Sequence, residues 1–176
     1  MKCTNNLSDI LVRKIMKKTE KELFTKICSY CIRRYQILSN GPIISSLIYQ
    51  LGRYMDMDVP TCQGILSVEI NGYKRQYTHC FNVYNGEIID ASIYQFALIN
   101  KSIENLFPLF IVGALPQQLE YKISNEIKYI NMIKFKDEYL KFVLSEILDE
   151  KESKIKRFDI SADAKKENLF MTILKK

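Results

Sequence analysis

The sequence predicts an α+β fold in which N-terminal helices pack on a small antiparallel sheet and a C-terminal amphipathic helix follows. Apolar residues recur at helical spacing before residue 56, and the pattern changes to strand-like alternation from Gln63. Asn-Gly pairs at 71–72 and 85–86 mark tight turns between strands. At 176 residues the chain fits one domain, so we expect residues 1–176 to fold together.

The composition is that of a globular protein, with 47% apolar and 11% aromatic residues. No run of about 18 apolar residues occurs and the N-terminus has no apolar signal region, so we expect a cytoplasmic protein that does not enter a membrane. The five cysteines are an odd number without regular spacing, which favours a reducing compartment over a disulfide framework. We expect no cofactor and no metal.

Two helices are expected before the sheet. Residues 7–38 read as one long helix or two abutting ones, and the Ser-Asn-Gly-Pro sequence at 39–42 ends this stretch. Pro42 suits the first position of a new helix, because it has no N–H to leave unsatisfied. This second helix is strongly apolar, so we expect it to be buried and to run to about Met55.

The strand pattern predicts an antiparallel meander of about three strands, with sequences GILSVEI, YKRQYTHCFNVY and EIIDASI. PLFIVGAL supplies another short apolar run, closed by Pro116. Residues 136–158 are predicted to form an amphipathic helix with Tyr139, Val143 and Ile147 on one face. The closing LFMTIL reads either as a strand or as a loosely docked tail.

The only histidine, His79, lies near Asp90 if the 85–86 pair forms a two-residue turn. Side chains alternate across a strand, so His79 and Asp90 would share a sheet face as diagonal neighbours. A hydrogen bond from the carboxylate would fix the tautomer of the imidazole and raise its basicity. A lone histidine on a half-buried strand is otherwise a packed core residue.

Two other features have ordinary structural explanations. Cys28 and Cys31 form a CxxC, but they lie inside a predicted helix rather than at its N-terminus, so we expect core cysteines. The formal net charge is +6, with lysines gathered at both ends of the chain. Acidic residues interleave with them and no nucleic-acid motif is present, which is typical of a solvated helix face.

The segment THCFNVYNGEIIDASIYQF resembles the His and Asp strands of papain-like and transglutaminase-like proteins. The order of a buried helix, then His79, then Asp90 is also similar. The resemblance covers about residues 36–96. It implies a helix–sheet fold of this superfamily, with an oxyanion-hole glutamine at Gln36, and a peptide-binding groove. The implied groove residues are Pro42, Ser46, Phe81 and Gln95.

The resemblance places Pro42 where these enzymes carry the nucleophilic cysteine, and proline has no nucleophile. We therefore expect a non-catalytic relative that binds a peptide or protein, with His79, Asp90 and Gln36 vestigial. A first alternative is a hydrolase or acyltransferase in which His79–Asp90 serves a relocated nucleophile, such as Cys62 or one of the serines at 39, 45 and 46, or activates water. A second alternative is a basic protein that binds nucleic acid or an acidic partner. Nucleic acid has little support, because no nucleic-acid motif is present.

Overall fold

The protein was analysed as a computed structural model that describes residues 16–35, 40–99 and 106–149. Three α-helices and five strands occur in these ranges, so the α+β class is confirmed. The helices are α1 (Lys18–Arg34), α2 (Gly41–Tyr54) and α3 (Asp137–Asp149). The strands are β1 (Thr61–Ile70), β2 (Tyr73–Tyr84), β3 (Glu87–Asp90), β4 (Ile111–Gly113) and β5 (Leu119–Glu126).

The strands form one antiparallel sheet in the order β4-β3-β2-β1-β5. The predicted three-stranded meander is its centre, but the sheet is larger than expected. The short apolar run before Pro116 supplies β4 at one edge, and β5 pairs with β1 at the other. β1 also begins three residues before the expected GILSVEI, at Thr61, because Thr61, Cys62 and Gln63 pair with β2. Cys62 therefore belongs to the sheet.

Two apolar clusters cover the two faces of the sheet. On one face, the three helices pack against sheet residues that include Tyr84 and Ile89. On the other face, Leu66 and Val68 pack with Ile93 and Phe96, which belong to a 3-10 helix over Ile93–Ile99. Burial on both faces explains why alternation along β1 and β2 is only partial.

The helices broadly follow the sequence prediction. The predicted N-terminal helix is represented by α1, whereas residues 1–15 and 36–39 lie outside the described residues. α2 begins at Gly41, with Pro42 near its start, and its buried residues include Leu47, Ile48 and Leu51. α3 covers the first part of the predicted amphipathic helix and buries Val143 and Ile147. Residues 150–158 and the closing LFMTIL lie outside the described residues.

Among the described residues, no helix combines the length and the apolar character needed to cross a bilayer.

Candidate functional site

The β2–β3 hairpin brings His79 and Asp90 together as the sequence predicts. Asn85 and Gly86 have φ values of 51° and 78°, the left-handed conformation at both central positions that a tight hairpin turn needs. The resulting register pairs Tyr84 with Glu87 and Asn82 with Ile89. His79 Nε2 lies 2.7 Å from Asp90 Oδ2, and both side chains are almost fully buried.

The Asp90 carboxylate accepts four hydrogen bonds. Oδ1 accepts the backbone N–H of Ser92 at 2.8 Å and its hydroxyl at 2.9 Å. Oδ2 accepts from the Tyr121 hydroxyl at 2.7 Å and from His79 Nε2 at 2.7 Å. An ionised carboxylate offers about four lone-pair sites, so every site has a donor. An ionised carboxylate can only accept, so Nε2 carries a proton, and Nδ1 is the ring nitrogen that is not bound to Asp90.

The same contacts keep Asp90 ionised. Burial on its own would raise the pKa of Asp90, but the charge and hydrogen bond of His79 oppose this, followed by the bonds from Tyr121 and Ser92. Their combined effect lowers the pKa below its ordinary value of 3.8. The site is thus built around a permanent negative charge.

Acid is expected to destabilise the protein through this carboxylate. Because the pKa of Asp90 is lower in the folded chain than in the unfolded chain, the ionised group stabilises the fold above about pH 4. That stabilisation is lost as the pH falls through the folded pKa. Urea unfolding between pH 3 and 7 measures it, and the Asp90→Asn variant should lose part of the acid dependence. An unchanged dependence would mean that Asp90 contributes nothing to it.

The N-terminus of α2 faces the imidazole, as the resemblance implies, but the position next to the ring is that of Gly41 rather than Pro42. A β-carbon built on Gly41 would lie 3.5 Å from His79 Cε1, 3.5 Å from Ser92 Oγ and 3.4 Å from the Cys80 carbonyl oxygen. Cε1 lies between the two ring nitrogens, so this position adjoins the edge of the imidazole. Pro42 is exposed. In this structure, the position facing the base is therefore occupied by a residue with no side chain.

The other predicted site residues have structural contacts. The Ser46 hydroxyl donates to the Pro42 carbonyl at 2.7 Å and accepts from Ile133 N–H at 3.3 Å, so it ties α2 to the segment before α3. The Ser45 hydroxyl also donates to the Pro42 carbonyl. Phe81 is buried, and the backbone N–H of Gln95 donates to the Ser92 carbonyl. Gln36 and Ser39 lie outside the described residues.

The four cysteine thiols within residues 16–35, 40–99 and 106–149 do not have the properties of a relocated nucleophile. Burial, and then Glu126, raises the pKa of Cys62 to about 11. Burial raises the pKa of Cys31 to about 12 and that of Cys28 well above its ordinary value. Burial, and then the charge of Asp90, raises the pKa of Cys80. A catalytic thiol requires the opposite shift, toward the thiolate.

Aromatic rings surround the imidazole. Phe96 meets it edge-on with ring centroids 5.0 Å apart, and Phe81 and Tyr121 lie at 6.1 and 6.3 Å. Tyr121 is the site residue that the sequence reasoning missed. The signal was present, because Leu119, Tyr121 and Ile123 alternate with polar residues in the manner of a strand. No cluster of three or more His, Cys, Asp or Glu side chains able to hold a metal occurs in the part of the chain that the structure describes.

Comparisons with protein families, with characterised proteins and with solved structures each found no match to this chain.

Proposed function

We propose that the chain is a catalytically impaired papain/transglutaminase-like protein that binds an extended peptide beside His79 without forming a covalent intermediate with it. The observation that supports this proposal is Gly41 at the N-terminus of α2. Covalent acyl transfer requires a nucleophile next to the base, and glycine supplies none. The His79–Asp90 pair is otherwise complete, and Cε1 of its imidazole lies next to position 41.

The raised pKa values of the buried thiols support the same proposal. At neutral pH a thiol with a pKa of about 11, as at Cys62, is almost entirely protonated and is a poor nucleophile. The hydroxyls of Ser45 and Ser46 are bonded to the helix backbone. Ser92 donates its hydroxyl proton to Asp90 rather than to the imidazole. The described residues therefore favour a binding role over a relocated protein nucleophile.

A second candidate is hydrolysis by water that His79 activates. The contact with Asp90 supports it, because Asp90 holds Nε2–H and leaves Nδ1 to accept a proton from water. No protein nucleophile is needed in this route. The third candidate, a basic binding surface, has less support because several cations are paired with acids, as in Lys21–Glu87, Arg34–Glu146 and Lys74–Glu120.

Restoring a thiol at position 41 tests the geometry of the site. The Gly41→Cys variant is expected to react with iodoacetamide at pH 6 about tenfold faster than Tyr73→Cys, which places a thiol on an exposed hairpin. The imidazole and the helix N-terminus should lower the pKa of the introduced thiol, and a drop of one unit raises the thiolate fraction about tenfold. Adding His79→Ala should abolish the difference. Equal rates in the two thiol variants, indifferent to His79, would remove the basis of the proposal.

The same variant tests peptide binding. Gly41→Cys is incubated with a library of short cysteine-containing peptides, each supplied as its mixed disulfide with 2-mercaptoethanol. The thiolate at position 41 attacks the peptide sulfur and releases 2-mercaptoethanol by exchange, and captured peptides are identified by mass spectrometry. We expect capture to depend on the residues that flank the cysteine, whereas Tyr73→Cys should capture peptides without preference. Selected peptides, with serine in place of cysteine, should then bind the wild-type chain and remain intact. Cleavage by wild type but not by His79→Ala would replace binding with water-activated hydrolysis, and unselective capture would contradict both.

A further inference from the structure

Tyr121 contacts the Asp90 carboxylate from a strand at the other edge of the sheet. It belongs to β5, and β1 and β2 lie between β5 and β3 in the strand order. Its hydroxyl nevertheless donates to Asp90 Oδ2 at 2.7 Å, the same oxygen and the same distance as the bond to His79 Nε2. Two elements far apart in the sheet therefore meet on one carboxylate oxygen.

We infer that Tyr121 is a positioning residue that locks the Asp90 carboxylate and thereby holds His79 in one tautomer and one orientation. This inference stands whether or not the chain binds a peptide, because it concerns the ring itself. Tyr121 acts through Asp90 and is not a group that would touch a bound molecule.

The Asp90 carboxylate keeps one orientation only if both of its oxygens are held by hydrogen bonds. Ser92 fixes Oδ1 with two hydrogen bonds, and both come from the residue two positions along the chain. If Ser92 acted alone, the carboxylate could still turn about this anchored oxygen and carry Oδ2 away from Nε2. Tyr121 fixes the second oxygen, so rotation of the carboxylate would break bonds at both ends.

Tyr121 is well suited to this task because its own position and protonation are fixed. Its ring packs edge-on against Phe81, with centroids 4.9 Å apart and an interplanar angle of 76°. Burial, and then the charge of Asp90, raises the pKa of Tyr121 well above its ordinary value. The hydroxyl thus keeps its proton and remains a donor throughout the working pH range. A fixed aromatic donor restricts the carboxylate more than a flexible side chain would.

The single histidine makes the inference directly measurable. Long-range ¹H–¹⁵N spectra of the imidazole report the tautomer, and saturation transfer reports how fast Nε2–H exchanges with water. In wild type we expect one tautomer, with the proton on Nε2, and slow exchange. Tyr121→Phe keeps the packed ring and removes only the hydroxyl. It should accelerate the exchange about tenfold or more, because a hydrogen bond to a charged group is worth at least that factor.

Tyr77→Phe is the matched control. Tyr77 is another half-buried tyrosine of the same aromatic group, with its ring 4.7 Å from Phe96, which also packs on His79. We expect this variant to leave the exchange rate and the tautomer unchanged. Urea unfolding of both variants separates local from global opening. Global destabilisation would accelerate exchange only by the factor by which the unfolding equilibrium constant rises. The inference is overturned if Tyr121→Phe exchanges at the wild-type rate, or if its acceleration equals the loss of global stability or is matched by Tyr77→Phe.

Discussion

Replacing Asp90 with alanine is expected to lower the free energy of unfolding by about 3–5 kcal/mol, the range for removing one partner of a buried charged pair. The carboxylate is 1% exposed and accepts four hydrogen bonds. Its removal would leave the imidazole, the Tyr121 hydroxyl and both Ser92 donors without their acceptor. Urea denaturation followed by circular dichroism at pH 7 measures the loss.

Two variants make this result specific to the buried site. Asp90→Asn keeps the shape of the side chain but turns an amide NH₂ toward existing donors. Its free energy of unfolding should therefore lie between those of the wild type and Asp90→Ala. Glu120→Ala removes an acid that pairs with Lys74 at the surface, and should cost less than about 1 kcal/mol. An Asp90→Ala protein as stable as the Glu120→Ala protein would show that the four bonds contribute little to folding.

Gly64→Ala is expected to destabilise the protein by about 3 kcal/mol or more. A β-carbon at Gly64 would overlap the Lys122 carbonyl oxygen, a backbone atom of β5 that cannot move without displacing the strand. The pairing of β1 with β5 changes register at this point, between Gln63 and Gly64. Displacing β5 would also draw Tyr121 away from Asp90. Urea unfolding, together with hydrogen exchange of the β5 amides, measures both effects.

Gly41→Ala is the matched glycine control. A β-carbon at Gly41 meets its neighbours at 3.4–3.5 Å, which is ordinary van der Waals contact, and the residue opens a helix. The change should therefore alter stability by about 1 kcal/mol or less, since alanine is at least as good a helix former as glycine. If Gly64→Ala were as mild as Gly41→Ala, β5 would not be held as closely to β1 as the structure shows.

The local part of the site could be predicted from the sequence because its geometry is fixed by a few neighbouring residues. The Asn85–Gly86 turn sets the register of β2 against β3, and the period of two along a strand then decides which side chains share a face. These two rules suffice to bring His79 to Asp90. The start of α2 and its approach to the imidazole followed from the Gly-Pro sequence at 41–42 and from the apolar run behind it.

The long-range part of the site could not be predicted in the same way. The LEYKISNE sequence of β5 alternates like a strand, but no local rule says that it pairs with β1 or that Tyr121 lies against Asp90. The contact between Gly41 and the imidazole was missed by one residue. An offset of one position rotates a helical side chain by about 100°, and only the packed structure shows that Pro42 points to solvent.

The division between local and distant contacts has a consequence for the order in which the site assembles. His79 and Asp90 are 11 positions apart, whereas Tyr121 is 31 positions beyond Asp90. A hairpin with a favourable turn closes in about 1–10 μs, but contacts between distant segments must first overcome the entropy of closing a longer loop. The imidazole would thus find its carboxylate early in folding, while both are still reached by water. β5 would dock later, and its docking would bury the His79–Asp90 pair that water had reached until then.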